Sequence, residues 1–347
     1  RDGGADGQGV AVLYLAASRI TGMPIEPLLT RGQRFMERRW LAFRLARLQR
    51  YMKTDPSRAI LLFASPRGGS TWMEEMLATI PRTATIWEPL DLDRGTGFRE
   101  LGFGWRQHIP EETRWPEAEE LFTCLFSGKL LSPYLAQATT PAELRAADRL
   151  IVKFVRGHLL LPWLVKRFSM PKPVLLVRHP CAVVASMMKH GAWDEHPIPP
   201  PLPAAHRYDE LVMHYHNIAG TIRTKEEYLA HIWCSTHAYL LKHPLNDKAW
   251  TTITYEELLL DTEGTLKKVF APWGMPVPQA ALELSKHPSR TTRPGSPTAQ
   301  PLDQLTHWRS QLDQGQQDRI LGMVERFDVD LYGTDPLPVR RFTHGER

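Results

Sequence analysis

Residues 65–72 have the types and spacing of an anion-binding loop. They are Ser-Pro-Arg-Gly-Gly-Ser-Thr-Trp, and they follow an apolar run, Ile60–Ala64, that predicts a buried strand. An apolar pattern with helical spacing begins directly after them, at Met73. A strand that turns through glycines into a helix points backbone N–H groups and the positive helix end at an anion. The loop therefore predicts a site for a phosphate-like group.

The same loop differs from loops that cleave ATP or GTP. Those have the pattern G-x-x-x-x-G-K-[ST], in which a lysine contacts the terminal phosphates and a hydroxyl binds magnesium. Here the cation, Arg67, precedes Gly68 and Gly69, and no lysine comes before Ser70. The sequence thus indicates a phosphate-like ligand without ordinary nucleoside triphosphate hydrolysis.

A second strand-to-helix junction follows the same logic. The apolar run Val174–Val177 predicts a strand, Arg178 follows it, and Pro180 suits the first turn of a helix that carries Ser186. Arginine offers phosphate a planar, permanently charged set of donors. Alternatively, Arg178 pairs with a carboxylate in the core. If both junctions bind anions on neighbouring strands, the ligand is a nucleotide phosphorylated at both ends.

Short apolar runs alternate with helical periodicity along the chain. Strands are predicted at Ile60–Ala64, Thr85–Trp87, Leu150–Phe154, Pro173–Val177 and Thr251–Thr254. Helices are predicted at Trp72–Ile80, Leu159–Phe168, Ala182–Lys189, Glu226–Lys242 and Leu258–Phe270. This alternation predicts an α/β fold, a three-layer P-loop-like domain with a central parallel sheet flanked by helices. Its ligands are expected beyond the carboxyl ends of the strands.

The predicted organisation has three parts. Residues 1–57 form a helical N-terminal extension with a glycine-rich start, residues 58–335 the α/β domain, and residues 336–347 a C-terminal tail. Two segments interrupt the alternation, the proline-rich residues 196–203 and the Arg-, Thr- and Pro-rich residues 289–301. Both predict irregular loops, which either bind an acceptor or simply link elements on the surface.

Composition favours a globular protein with anionic ligands. The net charge is +5 with a pI near 9.1, and 42% of residues are apolar. Isolated Cys124, Cys181 and Cys234 argue against a disulfide scaffold or zinc site and suit a cytoplasmic location. The apolar stretch Val10–Ala17 falls short of the roughly 20 residues that span a bilayer. Because the chain begins at Arg1, a removed signal or anchor stays open.

Positive charge is concentrated in residues 31–53, which contain eight basic residues and one acid. Apolar residues repeat there with helical spacing, at Leu41, Leu45, Leu48 and Met52. The segment predicts a basic amphipathic helix that either packs on the domain with its arginines in water or contacts a membrane surface. Nucleic-acid binding is not predicted, because no DNA- or RNA-binding module accompanies the charge.

Histidine is abundant between His190 and His243, where eight of the fourteen histidines lie. Their spacing is not that of metal ligands, and no cysteine or carboxylate cluster joins them. We therefore expect no metal, and place these histidines at the surface or near an acceptor cleft.

The motifs together resemble those of sulfotransferases that use 3′-phosphoadenosine 5′-phosphosulfate (PAPS). Residues 65–72 match the family's 5′-phosphosulfate loop, and residues 176–186, Leu-Val-Arg-His-Pro-Cys-Ala-Val-Val-Ala-Ser, match its 3′-phosphate motif. Residues 253–266, with Tyr-Glu-Glu-Leu, are similar to a later family segment. The resemblance spans residues 58–335, is closest to the carbohydrate and bacterial branches, and leaves the N-terminal extension unexplained.

The resemblance implies that the first motif holds the 5′-phosphosulfate. Arg67 and the backbone N–H groups of Gly68, Gly69, Ser70 and Thr71 would bind it, the two hydroxyls would add donors, and Trp72 would flank the adenine. Alternatively, Thr71 is structural and forms a capping box with Glu74.

The resemblance also assigns the other end of the donor. Arg178 and Ser186 would hold the 3′-phosphate, and Tyr255 would contact the adenine edge unless it is a core tyrosine. The family closes over the 3′-phosphate with an Arg-x-Gly element, for which the available residues here are Arg293 and Arg290.

Catalysis in this family requires a cation at the leaving oxygen and a base for the acceptor proton. Arg67 would supply the first, helped by Lys153, which resembles the lysine of cytosolic members. Their catalytic histidine corresponds to Val155 here. Glu88, in a Glu-Pro-Leu sequence similar to that of carbohydrate sulfotransferases, is our first candidate for the base, unless it is a solvated strand-end residue. His158 is the second.

The resemblance therefore implies a sulfotransferase that uses PAPS, releases adenosine 3′,5′-bisphosphate (PAP) and needs no metal. The acceptor would be a small molecule, carbohydrate or lipid, and the Glu-Pro-Leu resemblance favours a hydroxyl on a sugar or glycolipid-like molecule. Two alternatives remain, a P-loop phosphotransferase and a nucleotide-binding module without activity. The sequence leaves the oligomeric state open.

Overall fold

A parallel sheet of five short strands forms the centre of the protein. The computed structural model describes residues 26–52, 54–201, 206–291 and 301–339. The strands are β1 (Ile60–Ala64), β2 (Thr83–Trp87), β3 (Arg149–Phe154), β4 (Val174–Val177) and β5 (Thr251–Thr254). They are ordered β2-β3-β1-β4-β5, and every neighbouring pair is parallel.

Helices cover both faces of this sheet. They are α1 (Glu26–Gln49), α2 (Ser70–Leu77), α3 (Pro116–Phe126), α4 (Pro141–Ala146), α5 (Leu161–Arg167), α6 (Pro180–His190), α7 (Glu210–Ala219), α8 (Lys225–Leu241), α9 (Tyr255–Leu260), α10 (Thr262–Phe270), α11 (Gln279–Ser285), α12 (Pro301–Thr306) and α13 (Gln314–Arg326). The predicted three-layer α/β architecture with a central parallel sheet is confirmed.

Side chains of the strands alternate between two apolar clusters. In β1, Leu61 and Phe63 belong to the larger cluster, which is covered by α3, α5, α6, α8 and α13. Ile60, Leu62 and Ala64 belong to the smaller cluster, which is covered by α2, α10 and α11. All five residues of β1 are buried. A parallel strand covered on both faces reads as a continuous apolar run, which is why it was recognisable in the sequence.

The strand order places a crevice beside β1. β1 lies between β3 and β4, and the chain leaves β1 through α2 on one face of the sheet but leaves β4 through α6 on the other. The loops after β1 and β4 therefore diverge at the carboxyl edge of the sheet. Ligands of open parallel sheets bind at such a switch point.

Most predicted elements are confirmed, and two helices differ. The five strands agree with prediction within two residues at each end. The single helix predicted at Leu258–Phe270 is wrong, because Asp261 separates α9 from α10 and accepts a hydrogen bond from the Gly264 N–H. The helix predicted from Leu159 begins instead as a 3₁₀ turn, His158–Leu160, followed by α5.

The basic N-terminal segment forms helix α1. Leu45 and Leu48 are buried in the larger cluster, so this face of α1 packs on the domain. Packing on the domain was one of the two interpretations of this helix. The described helices include none that is long and apolar enough to cross a membrane. Residues 196–201 are irregular, as predicted. Of the predicted loop 289–301, residues 292–300 lie outside the described part, and Pro301 begins α12.

Candidate active site

The turn after β1 is tight and requires both of its glycines. The Gly68 N–H donates to the Ser65 carbonyl at 2.9 Å, and a Cβ on Gly68 would lie 2.9 Å from that same oxygen. Gly69 has a φ of +92°, and a Cβ there would lie 2.6 Å from Cδ2 of Tyr255. Arg67 also adopts a positive φ, of 65°. The chain thus reverses directly into α2 and leaves its backbone facing the crevice.

The first turn of α2 has no internal cap. Its N-cap is Gly69, which provides no side-chain hydrogen bond, so the N–H groups of the first turn are available to a ligand. The capping box considered for Thr71 is not formed, because Thr71 is the second residue of the helix. The Glu74 carboxylate instead contacts Arg290, with Nη2 and Oε2 2.6 Å apart. Ser70 and Thr71, both buried, line the cavity beside this turn.

The two motifs meet in one cavity. Nε of Arg67 donates to Oγ of Ser186 at 3.0 Å, and Nη1 of Arg178 donates to the Arg67 carbonyl at 3.2 Å. The cavity has a volume of about 270 Å³. Residues that we had assigned to the donor line it: Arg67, Gly69, Ser70, Thr71, Trp72, Arg178, Ser186 and Tyr255. Gly68, although buried, contributes through the turn rather than the wall.

Arg178 presents its charge to this cavity. Its guanidinium carbon lies 4.3 Å from the centre of the Tyr255 ring, and it forms no ion pair with any residue that the structure describes. The buried carboxylate of Glu256, which follows Tyr255, accepts instead from the His179 N–H and the Tyr332 hydroxyl, at 3.0 and 2.6 Å. The alternative of a core salt bridge for Arg178 is therefore not supported.

Aromatic residues form a second wall. The rings of Trp72 and Tyr255 have centroids 5.6 Å apart, and the Tyr255 hydroxyl lies 3.4 Å from Oε1 of Gln304. Nε1 of Trp72 is buried and has no acceptor among the described residues. Tyr255 is thus a wall residue, half-buried rather than part of the core.

Several further cationic and hydrogen-bonding residues line this cavity that were not predicted from the sequence. They lie at the end of α6 and in the segments around α11 and α12: Lys189, His190, Lys286, His287, Gln304 and His307. Lys189 and His190 could have been found from the sequence, because they lie one helical turn after Ser186. The segments around α11 and α12 carry no motif that would have placed them here.

Arg290 does not line the cavity, and Arg293 lies outside the described residues. The guanidinium of Arg290 contacts Glu74 and, at 3.2 Å, Oε1 of Glu75. It also lies 5.3 Å from the centre of the Trp87 ring. Arg290 therefore ties its loop to α2, while its neighbours Ser289 and Thr291 line the cavity.

Glu88 lies at the carboxyl edge of the sheet, as the first residue after β2. Its side chain is 17% exposed, and its φ of +37° is one that side-chain-bearing residues rarely adopt. Nη1 of Arg156 donates to Oε2 at 2.9 Å, and Nζ of Lys153 lies 3.7 Å from Oε1. Strained backbone of this kind concentrates at functional sites. Arg156 was missed in the sequence although, like Arg178, it closely follows a strand.

Lys153 is fully buried beside Glu88. Its ammonium lies 2.9 Å from the centre of the Trp87 ring, and its Nζ has no hydrogen-bond acceptor in the described part of the chain. Burial lowers the pKa of Lys153 to about 8, while the charges of Glu88 and Glu74 act in the opposite direction. A buried cation of this kind acts on nearby charge in a low-dielectric environment.

His158 lies in the core, away from the cavity. It is 2% exposed, its ring packs on those of Phe63 and His237, and neither of its nitrogens has a partner among the described residues. Burial lowers the pKa of His158 well below its ordinary value. The structure thus brings Glu88, Lys153 and Arg156 together at the sheet edge, and it leaves His158 beneath them.

Metal ligation finds no support in the described residues, among which no group of three or more His, Cys, Asp or Glu side chains could hold an ion. The histidines between His190 and His243 are dispersed. His190 lines the cavity, His214 is exposed, and His237 is buried.

Known proteins that are similar to this chain are sulfotransferases. A family model described as the sulfotransferase family matches residues 59–279, more than half of the chain. Among solved structures, the sulfotransferase domain from the Synechococcus PCC 7002 olefin synthase is similar, with 21% identity, a TM-score of 0.44, and coverage of 79% of this chain and 96% of that one. No curated protein matches the chain.

Two further solved structures are similar. The sulfotransferase domain from the curacin biosynthetic pathway has 18% identity and a TM-score of 0.42, covering 79% of this chain and 99% of that one. Mouse sulfotransferase SULT7A1 complexed with PAP has 16% identity and a TM-score of 0.42, covering 82% of this chain and 89% of that one.

Proposed function

The chain belongs to the sulfotransferase family, and we propose that it transfers a sulfuryl group from PAPS to an acceptor hydroxyl, releasing PAP. One observation carries the choice of donor. The 3.0 Å contact between Arg67 Nε and Ser186 Oγ joins the loop after β1 to the helix after β4 around a single cavity. A nucleotide with a phosphate at each end would occupy both anion-binding junctions at once.

The residues present fit such a donor. Arg67 and the uncapped first turn of α2 would hold the 5′-phosphosulfate, because both direct positive charge to the same point. Arg178 and Ser186 would hold the 3′-phosphate. The adenine would contact Tyr255 and Trp72, whose unpaired indole N–H supplies one more donor.

The carboxyl edge of the sheet carries a candidate for each group that the transfer step requires. The hydroxyl oxygen of the acceptor would form a bond to sulfur, and Glu88 would accept the proton that this oxygen loses. At the same time the bond between sulfur and the 5′-phosphate oxygen would break, and the electron pair of that bond would stay on PAP. Arg67 and Lys153 would stabilise the negative charge that develops there. Arg156, 2.9 Å from Glu88, orients the base.

The acceptor would approach over β2 and β3. Trp105 exposes 40% of its surface there, and the guanidinium of Arg156 lies 5.4 Å from its ring centre. An exposed aromatic ring beside charged donors suits a polar ligand with flat apolar faces, such as a sugar. We therefore propose a sugar or glycolipid-like hydroxyl as the acceptor.

Ligand-dependent thermal unfolding tests the donor site. PAP should raise the melting temperature clearly more than AMP or ATP, because only PAP places a phosphate at both junctions. Substitution Arg178→Ala should lower the affinity for PAP about 10- to 100-fold, the range of a charge-assisted phosphate contact, and should leave AMP nearly unaffected. The matched control is Arg58→Ala, which removes an arginine at the opposite, amino end of β1.

Equal stabilisation by PAP and AMP would refute the two-phosphate site. Magnesium-dependent turnover of ATP would instead favour a phosphotransferase. If PAP binds as expected, sulfate transfer from labelled PAPS to sugars, phenols, lipids and peptides then identifies the acceptor. PAP binding without any transfer would indicate a binding module.

A further inference from the structure

Helix α1 carries a stripe of large apolar side chains that faces solvent. Met36, Trp40 and Phe43 are 66, 60 and 69% exposed. Their spacing of four and three residues places them on one side of the helix. Exposed apolar side chains are ordinary when scattered, whereas a contiguous group of this size marks a contact surface.

The packing of α1 on the domain does not involve this stripe. The opposite side of the helix is buried through Leu45 and Leu48, and the side chain of Gln49 anchors the helix end by donating to the carbonyls of Lys129 and Leu131. The domain thus fixes which side of α1 points outward. Outward Met, Trp and Phe side chains cannot be explained by the core.

Positive charge surrounds the stripe. Residues 39–50 contain four arginines, at positions 39, 44, 47 and 50, and no acidic residue. The guanidinium of Arg44 lies 4.4 Å from the centre of the Trp40 ring. Arg47 and Arg50 are exposed. The described outward-facing side chains therefore combine apolar and aromatic groups with cations, and Glu37 is the one acid of residues 31–53.

We propose that this outward face of α1 docks on a membrane surface that contains anionic lipids. A helix that lies in such an interface buries Trp and Phe at the boundary between head groups and acyl chains, and its arginines contact the lipid phosphates. The charge complementarity favours this partner over a neutral apolar groove. The proposal does not depend on the proposed donor or acceptor.

Vesicle sedimentation tests it. The full chain should pellet with vesicles of phosphatidylcholine and phosphatidylserine, should bind pure phosphatidylcholine more weakly, and should dissociate as salt is raised. Replacing Phe43 with glutamate should lower partitioning about tenfold or more, since the ring no longer leaves water. The double substitution Arg47→Gln and Arg50→Gln should lower it by a similar factor on anionic vesicles only.

Matched variants keep this test specific. Leu284→Glu replaces another exposed apolar residue, on α11, and should leave sedimentation unchanged. Because the stripe faces away from the core, the Phe43→Glu chain should keep the melting temperature and PAP affinity of the wild type. A Phe43→Cys chain should react with a maleimide in solution and be protected by anionic vesicles.

Three outcomes would overturn the proposal. The first is that the wild-type chain fails to pellet with anionic vesicles at low salt. The second is that the Phe43→Glu chain pellets like the wild type. The third is that the thiol at position 43 of the Phe43→Cys chain is protected from the maleimide even without vesicles. This result would mean that the chain itself or a second copy covers the stripe. A mass in solution that halves on Phe43→Glu substitution would identify the second copy.

Discussion

At the scale of single residues, Lys153 is the most unusual group in the site. A lysine is rarely buried without a hydrogen-bond acceptor, because its charge loses hydration. Here the face of Trp87, 2.9 Å away, and the carboxylates of Glu88 and Glu74 compensate in part. In the proposed reaction, such a buried positive charge would stabilise the phosphate oxygen that becomes the leaving group.

The choice of base is tested by paired substitutions of Glu88 and His158. Glu88→Gln keeps the size and polarity of the side chain but removes its ability to accept a proton, so kcat for sulfate transfer should fall about 100-fold or more. The affinity for PAP should not change, because Glu88 lies outside the walls of the donor cavity.

His158→Ala is the comparison for this experiment. It removes a buried ring from the core, so the melting temperature should fall while kcat of the folded protein is retained. If Glu88→Gln transfers sulfate at the wild-type rate and His158→Ala does not, the two roles must be exchanged.

At the scale of elements, the strands could be predicted and their partners could not. β1, β4 and β5 are fully buried, so each is a short apolar or β-branched run with clear ends. Helix boundaries were less predictable where one polar residue interrupts a periodic pattern. Asp261 does so between α9 and α10, since its side chain caps the second helix.

The turn after β1 yields a prediction about backbone conformation. Gly69→Ala should lower the melting temperature and weaken PAP binding at least about tenfold. The positive φ costs about 1–2 kcal/mol for a residue with Cβ, and the methyl group displaces the Tyr255 ring. Calorimetric titration with PAP measures the second effect.

Gly102→Ala separates strain from steric contact. Gly102 has a similar φ of +90°, but a Cβ there would meet nothing within 4 Å. This variant should lose stability and bind PAP normally. Wild-type PAP affinity in Gly69→Ala would show that the Tyr255 wall is not part of the donor site.

At the scale of the whole molecule, strand order determines which distant residues meet. Arg67 and Ser186 are 119 positions apart, yet β1 and β4 are neighbours, so they form a hydrogen bond. The sequence predicted both motifs because each is local. It could not predict that Arg156 donates a hydrogen bond to Glu88, which depends on the pairing of β2 with β3, or that a 3₁₀ turn buries His158. Chain spacing indicates the face of an element but not its depth in the fold.

Buried histidines make the stability of the whole fold depend on pH. Burial lowers the pKa of His237 to about 3 and of His179 to about 4. Their folded pKa lies below the unfolded value near 6.5, so the unfolded chain binds more protons in this range. The stability that they contribute is complete above pH 6.5 and is lost as the pH falls towards 4. Glu74 and Glu256, whose pKa burial raises, oppose this trend above pH 4.5.

Removing one of these histidines should therefore protect the fold from acid. The free energy of unfolding, measured with urea, should fall between pH 7 and pH 5, and each such histidine should account for about 2 kcal/mol of the loss at pH 5. The substitution His237→Gln eliminates one of these groups, so the free energy of unfolding of this variant should fall by about 2 kcal/mol less than that of the wild type. The exposed His214→Gln is the control and should behave like the wild type. An equal loss in His237→Gln and wild type would mean that the core admits the charged imidazole, for example through water beside the unpaired nitrogens of His158 and His237.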